Sequence, residues 1–199
     1  ATNTILEKKG AKTALLTTEG FRDVLEMRRL RIPELYNLQY EKPLSLVPRR
    51  YRFEVPERIG PQGEVWRELD EGAVGALIAE LRSLEFESLA ICLIHSYVDS
   101  THEQRISALI NEEFGDNLYV TCSSEILPEI SEYDRTSTTV VNAYIGPSVA
   151  KYIASLVGRL TEYGISAPLE IIQSNGGAMT ATAAIRKPAS IVESGPAAG

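Results

Sequence analysis

"SLAICLIHSYVDSTHEQRISALINEEFGDNLYVTCSS" (residues 88–124) decides the fold class. Its first eight residues are an almost unbroken apolar run, as a strand buried on both faces of a sheet requires. Ser100, Thr101, His102 and Glu103 follow as a capping-box sequence, a Ser answered three residues later by a Glu. They open the helix EQRISALINEEF. NLYVTCSS (117–124) then reads as a second strand. Strand, helix, strand is the repeating unit of an α/β layer fold.

The same grammar extends in both directions. AKTALLT (11–17) is a short apolar strand, and Thr18 stands as N-cap of the helix EGFRDVLEMRR (19–29). A Pro-rich segment (33–61) holds a strand at 51–55, and GPQGEVW (60–66) reads as a hairpin turn. Asp70 caps EGAVGALIAELRSL (71–84), with Leu69 placed to staple onto Val74. From Glu132 a helical pattern runs on, with Gly146-Pro147 as a break or restart. Val149, Tyr152, Ile153, Leu156, Val157 and Leu160 form an apolar face within it, and Gly164 ends it. PLEIIQSNGGAMT (168–180) is a strand with a sharp Gly-Gly exit, and ASIVES (189–194) is the last strand. The chain divides near Ser131 into two parts, 1–131 and 132–199.

Both ends look cut. ATNTILEKKG, without an initiating Met, reads as helix interior, and in IVESGPAAG (191–199) Pro196 behind Ser194 and Gly195 reads as a helix start.

Composition narrows the function. With 44% hydrophobic and 24% charged residues the chain is ordinary globular material. Its net charge of −7, from 20 Lys and Arg against 27 Asp and Glu, argues against a nucleic-acid binder, which needs a basic stripe. No apolar run approaches the roughly 20 residues of a membrane span. The cysteines, Cys92 and Cys122, lie in apolar runs and read as buried free thiols, which a reducing cytoplasm suits. Neither has the spacing of a zinc site.

Three stretches carry candidate chemistry. In QSNGG, Gln173, Ser174, Asn175, Gly176 and Gly177 follow an apolar strand. They read either as a phosphate or substrate loop with two open amides or as a tight turn in which Asn-Gly tolerates positive φ. EYDRTSTTVVNAY carries Glu132, Asp134, Arg135 and the hydroxyls of Thr136, Ser137, Thr138 and Thr139. One hydroxyl suffices for a cap; the surplus either lines a pocket or fills space. His95 ends a buried strand and His102 sits in the capping box. HEQRI starts like a zinc-protease helix, but Ile106 stands where the second His belongs. Both histidines also read as structural, hydrogen-bonded residues.

ATNTILEKKGAKTALLTTEGFRDVLEMRR, VPRRYRFEVPERI, CLIHSYVDSTHEQR, SSEILPEISEYDRTSTTVVNAYIGP, IIQSNGGAMT and ESGPAAG, in this order, resemble the ATPase subunit of the hydantoinase/oxoprolinase family. The resemblance covers essentially the whole chain. It implies part of an actin-like, ribonuclease-H-like two-lobe ATPase with mixed sheets and flanking helices. Residues 1–131 would be the remainder of the first lobe and 132–199 the start of the second. SGPAAG is similar to the helix joining the lobes, which makes Gly195, Pro196, Ala197, Ala198 and Gly199 a hinge. The family's two phosphate loops would lie before Ala1 and after Gly199.

The implied activity is MgATP-dependent opening of a cyclic amide, with ketone carboxylation or a non-catalytic binding role as alternatives. ATP and Mg2+ are the implied cofactors, and a hydantoinase B-like subunit or domain the implied partner. His95 is the implied catalytic candidate. Gln173, Ser174, Asn175, Gly176, Gly177, Arg135 and Thr138 are the candidates for substrate or phosphate contacts.

Overall fold

The computed structural model describes residues 1–29 and 36–198. Gly199 of the expected hinge and the opening of the Pro-rich segment lie outside them. At the centre is a parallel four-stranded sheet built from β1 (Thr13–Thr18), β2 (Arg52–Val55), β5 (Ser88–Cys92) and β6 (Tyr119–Cys122), in the order β2-β1-β5-β6. Every residue of β1 and β5 is buried, because these central strands are covered on both faces. The antiparallel hairpin of β3 (Arg58–Ile59) and β4 (Val65–Arg67) follows β2, where the turn sequence placed it.

One face of the sheet is covered by α3 (Glu71–Ser83) and α4 (Thr101–Phe114). Val74, Leu77, Leu81, Ile106 and Ile110, at helical spacing, pack with Leu16, Leu89 and Ile91. Asp70 caps α3 by accepting from the Ala73 amide at 2.9 Å, and Leu69 packs against the same cluster as Val74. The other face carries α6 (Glu132–Glu162), whose Val140 and Ala143 meet Leu15, Ala90 and Cys92. Leu25, from the short α2 (Val24–Met27), joins them. A third cluster, Tyr144, Ile145, Val149, Ile153 and Ala184, joins α6 to α7 (Ala181–Arg186). Ile171 and Met179 pack on it from the antiparallel hairpin of β7 (Glu170–Ile172) and β8 (Ala178–Thr180). The remaining helices are α1 (Thr2–Leu6), α5 (Ser123–Ile126) and α8 (Ser194–Ala198).

Several sequence expectations are corrected. Thr18 caps nothing: it is the last residue of β1, and α2 begins only after Asp23. The Ser100–Glu103 capping box does not form, because the Glu103 carboxylate is drawn inward to other donors. Gly146-Pro147 does not break α6, which runs as one 31-residue helix. Burial on both sides of the pair, at Ile145 and Val149, outweighs the hydrogen bond that proline forgoes. Tyr152 and Val157, expected on an apolar face, are exposed. ASIVES forms no strand; Pro188–Ile191 is a 3-10 turn leading to α8.

Candidate functional site

The chain leaves β1 for β2 on one side and leaves β5 for β6 on the other, so the carboxyl ends of β1 and β5 flank a topological switch point. Open α/β sheets bind ligands at such points, because the connections diverge there and leave a crevice. Here the crevice edge is a buried polar network.

Thr18 closes the crevice itself. Its hydroxyl donates to Glu57 Oε1 and accepts from the Ile94 amide at 2.9 Å. The other Glu57 oxygen lies 2.8 Å from His102 Nδ1, with both side chains buried. An ionised carboxylate only accepts, so the proton of this bond sits on Nδ1. Beside His102, Glu103 is fully buried and takes four donors. The Leu93 amide (2.9 Å) and Ser123 hydroxyl (2.6 Å) reach Oε1, while the Ser124 amide (2.9 Å) and hydroxyl (2.7 Å) reach Oε2. That one carboxylate ties the loop after β5 to the start of α5.

His95 and Arg135 converge on Tyr97. His95 holds a left-handed backbone, φ +60°, and its Nδ1 lies 2.8 Å from the Ile59 carbonyl. A carbonyl only accepts, so Nδ1 carries a proton. The His95 and Tyr97 rings meet edge-on at 6.0 Å, and the Arg135 guanidinium stacks 5.3 Å from the Tyr97 centroid. Arg135, in the first turns of α6, is fully buried, and Nη1 donates to Ser96 Oγ at 3.0 Å. Ser96 Oγ lies 3.0 Å from Ser123 Oγ, so Arg135 communicates with Glu103 through two hydroxyls. Cys92 Sγ sits 3.2 Å from Thr136 Oγ1. Burial pushes its thiol pKa up, against a smaller pull downward from the Arg135 charge.

The hydroxyl-rich run divides. Thr136 meets Cys92, whereas Thr139 and Ser137 bond back to the Arg135 and Asp134 carbonyls; Thr138 is half-buried. The QSNGG loop stands on a different element, as the tip of the β7–β8 hairpin. Its glycine amides are engaged within the turn: Gly176 N–H donates to the Gln173 carbonyl (3.0 Å) and Gly177 N–H to Asn175 Oδ1 (2.9 Å). Gly176 takes the left-handed φ of +85° that its lack of a side chain permits. Ser174 ties the loop to the following turn, through its amide to Ser190 and its hydroxyl from the Glu193 amide. Gly195, Pro196 and Ala197 are exposed on α8, which also includes Ala198.

Thr18, Glu57, Ser96, Glu103, Ser123 and Ser124 were not among the sequence candidates. The available signal was positional: each follows or ends a buried strand, or opens the helix after one. No group of three or more His, Cys, Asp and Glu side chains among the described residues could hold a metal ion. Glu103 already accepts from four protein donors and Glu57 from one on each oxygen, and no third acid or cysteine among the described residues joins them, so this cluster does not fit a magnesium site. Among the described residues no helix is long and apolar enough to cross a membrane.

Comparison with known proteins agrees with this architecture. Residues 1–114 match the hydantoinase/oxoprolinase N-terminal region and residues 135–199 the hydantoinase/oxoprolinase family. Caprolactamase subunit alpha from Pseudomonas jessenii is 36% identical over 99% of this chain and 28% of its own length. The acetophenone carboxylase gamma subunit from Aromatoleum aromaticum is 31% identical over 89% of this chain and 26% of its own. For 5-oxoprolinase from Saccharomyces cerevisiae the values are 30%, 89% and 16%. The chain thus spans less than a third of these relatives. The crystal structure of ATP-dependent caprolactamase from Pseudomonas jessenii superposes with a TM-score of 0.91 at 35% identity, over 98% of this chain and 28% of that one. A nucleotide-free acetone carboxylase structure shares the fold, with a TM-score of 0.88 at 24% identity over 99% of this chain and 29% of that one. Two family regions matched in order, on a fold superposing over nearly its whole length, place this chain in the hydantoinase/oxoprolinase family.

Proposed function

We propose that the protein containing this chain is an ATP-dependent hydrolase of cyclic amides. The observation that carries the reading is the likeness to ATP-dependent caprolactamase, at 36% identity in sequence and a TM-score of 0.91 in structure. A ring amide is a poor electrophile; phosphoryl transfer from ATP to its oxygen, releasing ADP, ends the amide resonance. Water then adds to the carbon, and the C–N bond breaks as the nitrogen leaves as an amine. The resulting acyl phosphate is hydrolysed by a second water to carboxylate and phosphate. Transfer of the phosphoryl group is chiefly a matter of positioning and charge neutralisation.

Residues 1–131 are read as the remainder of the first lobe of an actin-like ATPase and 132–199 as the start of the second, with α8 at the hinge. Nucleotide phosphates and Mg2+ would be held by loops elsewhere in the longer protein. His95, Arg135, Thr138 and the loop of Gln173, Ser174, Asn175, Gly176 and Gly177 are the proposed contacts to substrate or phosphate. A hydantoinase B-like subunit and a cytoplasmic location complete the proposal. A second reading, the ATPase subunit of a ketone carboxylase, has support from the acetophenone carboxylase relative.

The intact protein, with its partner subunit, is incubated with MgATP and either lactams, hydantoins and 5-oxoproline, or acetone and acetophenone with bicarbonate. Phosphate release coupled to a ring-opened product in the mass spectrum is expected. Coupling to a carboxylated ketone moves the assignment to the second reading, and release independent of every substrate overturns both.

A further inference from the structure

We infer that the outer edge of the Arg135 guanidinium is a binding site for a small two-oxygen oxyanion, of the carboxylate or phosphate class. Arg135 has no exposed surface, yet its Nε and Nη2 have no acceptor among the described residues. These two nitrogens are not an arbitrary pair. Nη1 lies on the side of the guanidinium nearer Cδ and is taken by Ser96, whereas Nε–H and Nη2–H point the same way. Together they form the side-on fork that matches the paired oxygens of a carboxylate or phosphate. Tyr97 covers the face of the group, so an acceptor can meet these two donors only along the edge.

The fold contains its own control. Arg52 is equally buried, and its corresponding edge is filled: Nε and Nη2 donate to the Val47 carbonyl at 3.0 and 2.9 Å, and Nη2 also reaches Glu26 at 2.6 Å. Arg52 lacks a partner at Nη1 alone, and Arg22 at Nε alone, whereas Arg135 lacks one at both nitrogens of the same edge. Among the described residues no carboxylate pairs directly with Arg135, and Glu103 reaches it only through the Ser96 and Ser123 hydroxyls. Asp134, next in sequence, is taken by Arg29 and Ser131, each at 2.7 Å, and the Glu103 oxygens are occupied by four other donors. Arg135 also lies in the first turns of a 31-residue helix, where the aligned peptide dipoles disfavour a cation and favour an anion beside it. A buried charge without a partner costs too much to keep unless something pairs with it. The position of Arg135, at the carboxyl edge of β5, is where ligands enter such sheets.

The inference rests on the reading of Arg135 as a ligand contact, but requires neither nucleotide nor amide. The oxyanion has two possible sources: a free ion, or an acidic side chain from elsewhere in the longer protein. Thermal melts of the intact protein without ATP, at constant ionic strength, compare sodium chloride with sodium phosphate and sodium formate. If the ion is free, wild type gains about 2–4 °C, saturably, in phosphate or formate. Arg135→Lys, which keeps the charge and removes the fork, gains nothing. If the wild type ignores both ions, a crystal structure of the intact protein decides. An Asp or Glu carboxylate on Nε and Nη2 supports the site with an internal source, and water alone on that edge overturns it. Because no arm depends on ATP turnover, failure of the amide-hydrolase reading and failure of this site are separately visible.

Discussion

The ring of Tyr119 occupies the space in which a side chain at residue 146 would begin: a Cβ built on Gly146 falls inside its van der Waals envelope. Tyr119 reaches across from β6, and its hydroxyl donates to the Ile185 carbonyl at 2.7 Å. The pair thereby fastens the central sheet, α6 and α7 together. Gly146→Ala gains up to about 1 kcal/mol of helix propensity. It must also displace a ring held by that hydrogen bond, at about 1–3 kcal/mol for overpacking. The expected outcome is net destabilisation in urea denaturation, with most of the loss recovered in the double variant Tyr119→Leu/Gly146→Ala. Equal or greater stability of the single alanine variant would show that the ring moves freely.

Glu57 and His102 supply a second test. His102→Leu removes a donor from a carboxylate with no access to water and leaves Thr18 as its remaining side-chain donor. A hydrogen bond to a charged group contributes about 1.5–3 kcal/mol, and a loss of that size is expected from denaturation midpoints. Adding Glu57→Gln removes the stranded charge and should restore part of it. Simple additivity of the two changes would mean that they do not interact.

How legible this was in the sequence depends on the element. β5 was readable because a strand buried on both faces needs a nearly unbroken apolar run, which SLAIC supplies, and β1 because the apolar centre of TALLTT is flanked by β-branched threonines. Asp70 was readable because its cap is local. Glu103 misled for the same reason: Ser-x-x-Glu is a local cap signal, but the acceptor demand of Leu93, Ser123 and Ser124, distant in sequence, outcompeted the local bond. Arg135 could be picked out by type, whereas its bare edge depends on which acceptors the fold withholds. QSNGG was readable as a loop, but a strand leading into it says nothing about whether that strand joins the central sheet or pairs with its own continuation.

Alkaline pH tests the thiols. Desolvation is the leading cause that raises the pKa of both Cys92 and Cys122 above their ordinary value of 9.0. The folded state therefore holds these protons more tightly than the unfolded chain. The resulting stabilisation is complete below about pH 9 and is lost as pH rises beyond it, because only the unfolded thiols then ionise. Unfolding free energies from pH 7 to 10.5 should fall more steeply for wild type than for Cys92→Ala/Cys122→Ala above pH 9. The two slopes should coincide below it. Both thiols should resist a disulfide reagent at pH 8 until the chain is unfolded, and rapid labelling of the native chain would contradict the burial.

His95 combines a left-handed backbone with a ring anchored through Nδ1 to the Ile59 carbonyl, and the two features are separable. Asn tolerates φ near +60° better than most residues, so His95→Asn keeps the loop conformation while removing the imidazole. If the ring contacts substrate, as proposed, kcat/KM of the intact enzyme should fall by about one to three orders of magnitude, the scale of losing one positioned polar group. The melting temperature should stay within a few degrees. His95→Gly sharpens the comparison: it removes the ring and also the backbone strain, so any stability it retains is independent of the Ile59 hydrogen bond. Both variants should share the kinetic defect even though they differ in stability. A histidine kept only for the turn gives the opposite pattern, in which stability follows the substitution and turnover per folded molecule does not change. In that case the chemistry at this edge would have to be sought at Arg135 alone.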